Sequence, residues 1–242
     1  SSKLGSFSSI ASLGGFSLPS EDGSKSQEAI ERIKSFEFFS TYFLPNIKLE
    51  NIMAIKGWIP EGDILIYDSK SYNKSTSNWI RDVSYPKKII PSHQEAFDVY
   101  KELMSVSQDK KTSFITISID HHSPVIAKKW VDIIIYQINE SMRKVDAEAS
   151  QKSISFLNKT AESANIQSLK EAIAKLLENQ MQILMLTTSS EYYVLKIIDS
   201  PIIPEKKSDP SRALICILGT LLGGILSILV VSIRYYIEPS KS

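Results

Sequence analysis

The sequence is poor in the residues that would cross-link the chain or bind a metal. It has one cysteine, Cys216, and three histidines among its 242 residues. A disulfide within the chain and a zinc site built on cysteines are therefore excluded, and a zinc site built on histidines is not expected. The net charge of +1 indicates no strongly basic surface, so we do not expect nucleic-acid binding.

Catalytic motifs are also missing. The pair Gly14-Gly15 lacks the lysine and the preceding strand of a phosphate-binding loop, and no serine stands in a GxSxG motif. Asp120-His121-His122 is the one candidate metal cluster, and a turn before a helix explains it better. We therefore expect a protein that is not an enzyme and has no catalytic residues, cofactor or metal site.

An uncharged run over 213–233 is the clearest feature that the sequence does contain. Its 21 residues would form a helix of about 30 Å, the thickness of the hydrocarbon core of a bilayer. We interpret the run as a transmembrane helix. Within it, Gly219, Gly223 and Ser227 recur at every fourth residue, which is typical of membrane helices that pack closely against another helix.

The first half of the chain predicts a base of helices and short strands. Ser92 and Glu95 stand three residues apart before an apolar run, which is typical of a capping box. Ile115, Ile117 and Ile119 alternate along one face of a strand. The predicted elements are a partly ordered loop over 1–27, a helix from Ser26 with Ala29, Ile30, Ile33, Phe36 and Phe39 on its apolar face, a helix around 47–55 that ends at Gly57, irregular chain with short strands over 58–91, a helix from Ser92 to Met104, and a strand over 114–120.

The segment 58–91 is rich in aromatic residues, and two interpretations of them remain open. They either pin a long loop onto the domain, which we favour, or form a platform for sugars. The residues are Trp58, Tyr67, Tyr72, Trp79 and Tyr85.

The next part of the chain predicts long helices, because neither glycine nor proline occurs from Val125 to Ser200. Ser123-Pro124 is typical of a helix start, with serine as the cap and proline in the first position. A helix over 125–160 would be about 50 Å long, more than a compact domain needs. We expect its apolar first part to pack on the base and its polar remainder to leave the base. The apolar residues are Trp130, Ile133, Ile134, Ile138 and Met142.

A break over 163–167 would turn the chain back. Asn165 can cap the following helix, and Ser168 to Glu171 resembles a capping box. We predict a return helix over 167–186 and then a strand over 192–198, so that the two helices form a hairpin that projects from the base. A thin hairpin buries little apolar area, so neighbouring copies would complete its packing, which indicates a homo-oligomer. The return helix carries Leu169, Ile173, Leu176, Leu177, Gln180 and Leu184.

Three prolines, Pro201, Pro204 and Pro210, stand between the predicted strand and the uncharged run. Proline fixes φ near −65° and has no amide donor. We predict that this segment is a stiff connector, with a passive linker as the alternative.

These segments resemble the polysaccharide co-polymerase family, also called Wzz-type chain-length determinants of bacterial surface polysaccharides. The resemblance covers essentially the whole chain from about residue 11, and its most specific part is the proline-rich approach to a helix that contains glycines. The segments that carry it are 11–15, Ile33-Lys34-Ser35 with Phe38, Lys56-Gly57-Trp58, Ile66-Tyr67-Asp68, Trp79-Ile80-Arg81, 105–112, His121, Ser123-Pro124, Trp130-Val131, Pro201, Pro204, Glu205-Lys206, 210–214 and 218–224.

The resemblance implies a non-enzymatic regulator of lipopolysaccharide O-antigen chain length. It implies a periplasmic domain between two inner-membrane helices, with both termini in the cytoplasm and the first helix expected before Ser1. Family members form ring-shaped homo-oligomers and act with a separate membrane polymerase. The expected partners are thus further copies, the polymerase, the growing lipid-linked polysaccharide and inner-membrane lipids. We expect the kinase-less branch, because the sequence to Ser242 contains no tyrosine-kinase domain, and a kinase on a separate chain stays open as an alternative. The alternative is a structural periplasmic adaptor of a polysaccharide or other export machine.

We therefore predict an α+β fold with a membrane-proximal α/β base, a protruding helical hairpin and a C-terminal transmembrane helix. The predicted boundaries are 1–123 for the base, 124–190 for the hairpin, 191–212 for the returning strand and connector, 213–233 for the transmembrane helix and 234–242 for a short cytoplasmic tail.

Overall fold

The computed structural model describes residues 22–189, 192–204 and 212–237. For residues 22–24, 212–215, 231 and 234–237 only the backbone is described. Most of the predicted loop over 1–27 and Pro210 of the predicted connector lie outside the described residues. The chain divides into two compact units, one up to Ile202 and one from Ile203 onward. Each unit is described by itself.

The first unit contains a mixed base followed by a long helical hairpin, so the predicted mixture of helix and strand is confirmed. Its elements are α1 (Asp22–Ile33), α2 (Phe36–Phe38), a π-helical turn (Phe39–Phe43), a 3-10 turn (Leu44–Asn46), α3 (Leu49–Met53), β1 (Ile55–Ile59), β2 (Ile64–Tyr67), β3 (Tyr72–Asn73), β4 (Asn78–Trp79), α4 (His93–Leu103), β5 (Met104–Gln108), β6 (Ile115–Ile119), α5 (Pro124–Ser163) and α6 (Gln167–Ser189).

Aromatic side chains form the centre of the base. Phe39 and Phe43 on the π-helical turn both contact Tyr100 of α4, with ring centroids 4.9 and 5.0 Å apart. Trp130 of α5 meets Phe43 edge to face at 5.6 Å. The buried Tyr100 hydroxyl donates a hydrogen bond to the carbonyl oxygen of Ile33 at 2.9 Å. The core therefore joins α1, the π-helical turn, α4 and the first part of α5.

The strands of the base pair as three separate two-stranded antiparallel sheets, β1 with β2, β3 with β4 and β5 with β6. In the last pair, Met104 lies opposite Ile119 and Gln108 lies opposite Ile115. Ile119 is buried, whereas Thr116 and Ser118 are exposed. The strand predicted over 114–120 and its apolar face are confirmed.

Two predicted helix starts are confirmed by their hydrogen bonds. At α4, the Glu95 amide donates to the Ser92 hydroxyl oxygen and the Ser92 amide donates to the Glu95 carboxylate, both at 3.2 Å. At α5, the Ile126 amide donates to the Ser123 hydroxyl oxygen at 3.3 Å, and Pro124 occupies the first helical position. Both caps provide acceptors for amides that have no partner within the helix.

Some predictions for the base are wrong in detail. Gly57 does not end a helix: α3 ends at Met53, and Gly57 lies in β1 opposite Ile66 of β2. The first helix begins at Asp22, before the predicted Ser26, and ends at Ile33. Because the chain turns there, the helical spacing no longer applies to Phe36, whose side chain is 41% exposed.

The hairpin consists of α5, with 40 residues, and α6, with 23 residues. At 1.5 Å per residue α5 is about 60 Å long. The predicted break over 163–167 is confirmed. The capping box predicted from Ser168 is wrong, because α6 begins at Gln167 and Ser168 lies inside the helix. The strand predicted over 192–198 is also wrong, since the described residues 192–204 contain neither helix nor strand.

The second unit contains one described helix, α7 (Arg212–Ile237), which includes the uncharged run. Among the residues that the structure describes, no helix has the length and apolar character needed to cross a membrane. The predicted transmembrane helix over 213–233 is therefore not confirmed, although the run is helical.

Candidate functional site at the helical hairpin

The side chain of Asn139 on α5 binds the segment 192–198, which follows the hairpin and which we call the return chain. Asn139 is only 3% exposed. Its Oδ1 accepts hydrogen bonds from the amides of Tyr193, Val194 and Leu195 at 3.1, 2.7 and 2.9 Å. Its Nδ2 donates to the carbonyl oxygens of Leu195 at 3.0 Å and Ile135 at 2.9 Å. One side chain thus provides the hydrogen bonds that a neighbouring strand would otherwise provide.

This contact explains why the segment 192–198 is not a strand. Its β-branched and aromatic residues favour a strand, but its amides are bound by a side chain. Sequence reasoning missed Asn139. The available signal was a polar residue beside Ile138 and close to Met142, within the part of α5 that was expected to pack on the base.

A second polar contact joins α5 and the return chain to α1. The Tyr193 hydroxyl donates to the Asp146 carboxylate at 2.6 Å. The Lys25 Nζ lies 2.7 Å from the same carboxylate oxygen, 2.9 Å from the Tyr193 hydroxyl oxygen and 4.9 Å from the centre of the Tyr193 ring. Asp146 is about two helical turns beyond Asn139 on α5. The return chain is therefore attached to the hairpin at two levels.

The pKa shifts of Lys25 and Tyr193 are consistent with these hydrogen bonds. Burial alone would lower the pKa of Lys25, but the hydrogen bonds to Asp146 and Tyr193 outweigh it and the pKa is raised. Burial, followed by the hydrogen bond to Asp146, raises the pKa of Tyr193. Near neutral pH, the Lys25 ammonium group and the neutral Tyr193 phenol therefore remain in the states in which both donate to Asp146.

The contact between α5 and α6 changes in character along the hairpin. Near the tip it is apolar, with Leu157, Ala164 and Ile173 buried together. Farther from the tip, three polar residues of the hairpin are buried: Ser150, Gln180 and Thr187. Small and polar side chains bury less apolar surface than leucine or isoleucine, so they contribute less to holding the two helices together.

The outer face of α6 exposes apolar side chains. Met181 and Met185 stand four residues apart, on one side of the helix, and are 55% and 68% exposed. We call this pair the methionine face. Adjacent exposed apolar residues of this kind often mark interaction surfaces. Other exposed apolar residues of the hairpin and its link are Val125, Tyr136, Val145, Phe156, Ile166, Leu169 and Leu186.

The aromatic segment of the base packs against itself. Tyr72 is buried, and its ring lies 5.3 Å from Tyr67 and 5.2 Å from Trp79. The Trp58 indole N–H donates to the Asp63 carboxylate at 2.6 Å. The Tyr67 hydroxyl attaches the segment to α3 by donating to Asn51 Oδ1 at 2.8 Å, which favours the interpretation that these rings pin the loop onto the domain. Tyr85 does not take part, because it is 97% exposed. An open groove of about 420 Å³ lies beside Tyr67 and Tyr72.

The helix-packing role predicted for Gly219, Gly223 and Ser227 stays a prediction, and so does the stiff proline connector. Apart from the glycine, its chain neighbours and the nearby backbone of α7, no described atom would lie within 4 Å of a methyl group added to Gly219 or Gly223. The Ser227 hydroxyl donates to the carbonyl oxygen of Gly224 at 2.8 Å. Pro201 and Pro204 lie in irregular chain.

The candidate metal cluster Asp120-His121-His122 does not form a metal site in the described part of the chain, where no group of three suitable ligands occurs. Instead, the His121 ring binds backbone groups of Asn51 and Ser123.

Comparison with protein families identifies part of this region. Residues 163–236 match the GNVR family, described as a G-rich domain on putative tyrosine kinase. The matched segment includes α6, the return chain that Asn139 binds and most of α7. This domain is associated with polysaccharide co-polymerases and indicates a role in polysaccharide export or chain-length regulation. No curated protein matches the chain.

Proposed function

We propose that this protein regulates the chain length of a bacterial surface polysaccharide, the lipopolysaccharide O-antigen, and does not itself catalyse a reaction. The observation that carries the proposal is the match of residues 163–236 to a domain associated with polysaccharide co-polymerases. The Wzz-type resemblance of earlier segments, from about residue 11 to the start of α5, supports the same role.

We further propose that copies of the chain assemble side by side into a ring through their hairpins. The methionine face exposes apolar surface, and the buried residues of α6 include the polar Gln180 and Thr187. A neighbouring hairpin would bury the apolar side chains that a single copy leaves in water. This step supports a homo-oligomer and leaves the number of copies open.

The proposal also includes a location in the bacterial inner membrane, with the base and the hairpin in the periplasm and the C-terminus in the cytoplasm. Its support is the uncharged run over 213–233 of the sequence. The partners would be the membrane polymerase, the growing lipid-linked polysaccharide and inner-membrane lipids. Gly219, Gly223 and Ser227 would allow a helix of the polymerase or of another copy to approach closely.

The test compares lipopolysaccharide from a strain that lacks the gene with lipopolysaccharide from complemented strains, separated by electrophoresis. We expect the deletion to change the distribution of polymer lengths and the wild-type chain to restore it. The double variant Met181→Gln, Met185→Gln should fail to restore it, whereas Met181→Leu, Met185→Leu keeps the face apolar and should restore it. An unchanged distribution in the deletion strain would contradict the proposal.

The second candidate is a structural periplasmic adaptor of an export machine, because the GNVR match also fits polysaccharide export. Export adaptors usually contain modules with many glycine-marked turns, and this chain has nine glycines, so we rank this candidate second. The same experiment separates the two. Complete loss of surface polymer in the deletion strain would favour the adaptor, whereas polymer of altered length favours the regulator.

A further inference from the structure

His121 lies between β6 and α5, where the base meets the long helix of the hairpin. Its Nδ1 lies 3.0 Å from the amide nitrogen of Ser123, and its Nε2 lies 3.0 Å from the carbonyl oxygen of Asn51. An amide can only donate and a carbonyl oxygen can only accept. These two bonds therefore form together when the ring is neutral and carries its hydrogen on Nε2.

This neutral ring belongs to a network that holds the start of α5. The Ser123 hydroxyl caps the helix by accepting from Ile126 and donates to the Asp63 carboxylate at 3.2 Å. The Ser123 carbonyl oxygen accepts the first hydrogen bond of the helix from Ala127 at 3.0 Å. His121 thus connects α3, through Asn51, to the residue that caps α5.

Protonation of Nδ1 would change this network. Nδ1 would no longer accept from the Ser123 amide, which would be left facing an N–H group. The new N–H could donate to the Ser123 carbonyl oxygen, 3.1 Å away, which already accepts from Ala127 and can accept a second bond, but the Ser123 amide would still lose its acceptor. The added positive charge would also lie at the positive end of the helix dipole.

The surroundings of the ring oppose protonation further. The ring packs 4.8 Å from the ring of Trp130, a buried residue of the core. The ring of His122 lies 6.5 Å away and also lowers the pKa of His121, and Asp120 adjoins His121 in sequence. The Asp63 carboxylate is connected to the ring through Ser123, and the carbonyl oxygens of Asn51 and Ser123 favour the charged ring. Burial outweighs them, so the pKa of His121 is lowered.

We propose that His121 is a pH-sensitive joint, whose neutral ring holds the start of α5 on the base and whose protonation in mildly acidic solution loosens it. The sign follows from linkage: the opened state binds a proton near the ordinary histidine pKa of about 6.5, whereas the closed state resists it. The stabilisation of the start of α5 by His121 is therefore fully present above about pH 6.5 and is lost progressively as the pH falls below that value.

The test measures hydrogen-exchange protection of the Ile126 and Ala127 amides in the full chain in detergent micelles, corrected for the intrinsic pH dependence of exchange. Between about pH 7.5 and about pH 5.5, we expect protection in the wild type to fall by up to about tenfold. His121→Gln should remove this pH dependence. His93→Gln and His122→Gln alter exposed histidines and should keep it.

Equal protection at both pH values in the wild type, or an unchanged pH response in His121→Gln, would overturn the proposal. If His121→Gln does not fold, the ring signals of the wild type are titrated by nuclear magnetic resonance, assigned with the His93 and His122 variants. The proposal requires His121 to titrate below the ordinary histidine pKa of about 6.5, and titration at or above that value would overturn it.

Discussion

The base is stabilised internally by a different kind of contact from the hairpin. In the base, Phe43 is fully buried and its ring meets those of Tyr100 and Trp130. In the hairpin, the buried residues include Ser150 and Gln180. Large apolar side chains contribute several kcal/mol each when they are buried, whereas a hydrogen-bonded polar group contributes about 1 kcal/mol. The base therefore depends on its own core, and the hairpin depends more on its junction with the base and, in our proposal, on neighbouring copies.

The largest effect is expected from Phe43→Ala in the base. The change removes a ring with aromatic neighbours and leaves a cavity, so the free energy of unfolding should fall by about 3–5 kcal/mol. Denaturant unfolding of the full chain in detergent, followed by tryptophan fluorescence, measures this loss. Phe36→Ala is the matched control, because Phe36 is 41% exposed. Equal losses from the two variants would contradict the description of the aromatic core.

The next largest effect is expected at the junction, from Asn139→Leu. Three amides, at 193–195, would lose their acceptor, at a total cost of about 2–4 kcal/mol. Hydrogen exchange should show these amides losing protection. Asn139→Asp keeps an acceptor for the three amides but loses the donor to Ile135 and Leu195, so it should retain more protection of these amides than Asn139→Leu. If Asn139→Leu leaves their protection unchanged, Asn139 does not hold the return chain.

A smaller effect is expected from Tyr193→Phe. Removal of the hydroxyl breaks its bonds to Asp146 and Lys25 and should lower the unfolding free energy by about 1 kcal/mol. Tyr192→Phe provides a control at the adjacent position, where we expect a change of less than about 0.5 kcal/mol. Thermal unfolding of the two variants measures the difference, and a larger loss at Tyr192 would contradict the assignment.

The smallest effect on stability is expected at the methionine face. Met181→Gln, Met185→Gln keeps residues that favour a helix and changes two exposed side chains, so the unfolding free energy should change by no more than about 0.5 kcal/mol per site. The mass of the assembly, measured by light scattering in detergent, should nevertheless fall. Met181→Leu, Met185→Leu should keep the wild-type mass. Identical masses for all three proteins would rule out this face as the assembly contact.

The parts of the fold that could be predicted from the sequence are those decided by neighbouring residues. The capping box of Ser92 and Glu95, the serine cap before Pro124 and the break over 163–167 all depend on contacts within a few residues. The helical hairpin follows from these signals and from the absence of glycine and proline after Val125.

The parts that could not be predicted depend on contacts between distant residues. Asn139 binds amides more than 50 residues away, and these bonds replace the strand that the composition of 192–198 favours. Gly57 pairs with Ile66 across a sheet, which the local pattern cannot show. At the candidate site, the sequence predicted a hairpin that needs neighbours, but the methionine face became evident only from the exposure of Met181 and Met185.

The most direct test of the difference between the two regions is hydrogen exchange of the full chain at high and low protein concentration in detergent. We expect amides of the base, such as those of α4 and β5, to show the same protection at both concentrations. Amides of α5 beyond Asp146 and of α6 should gain protection at the higher concentration, because assembly would cover the hairpin. Concentration-independent protection of the hairpin, or an equal gain in the base, would contradict this account.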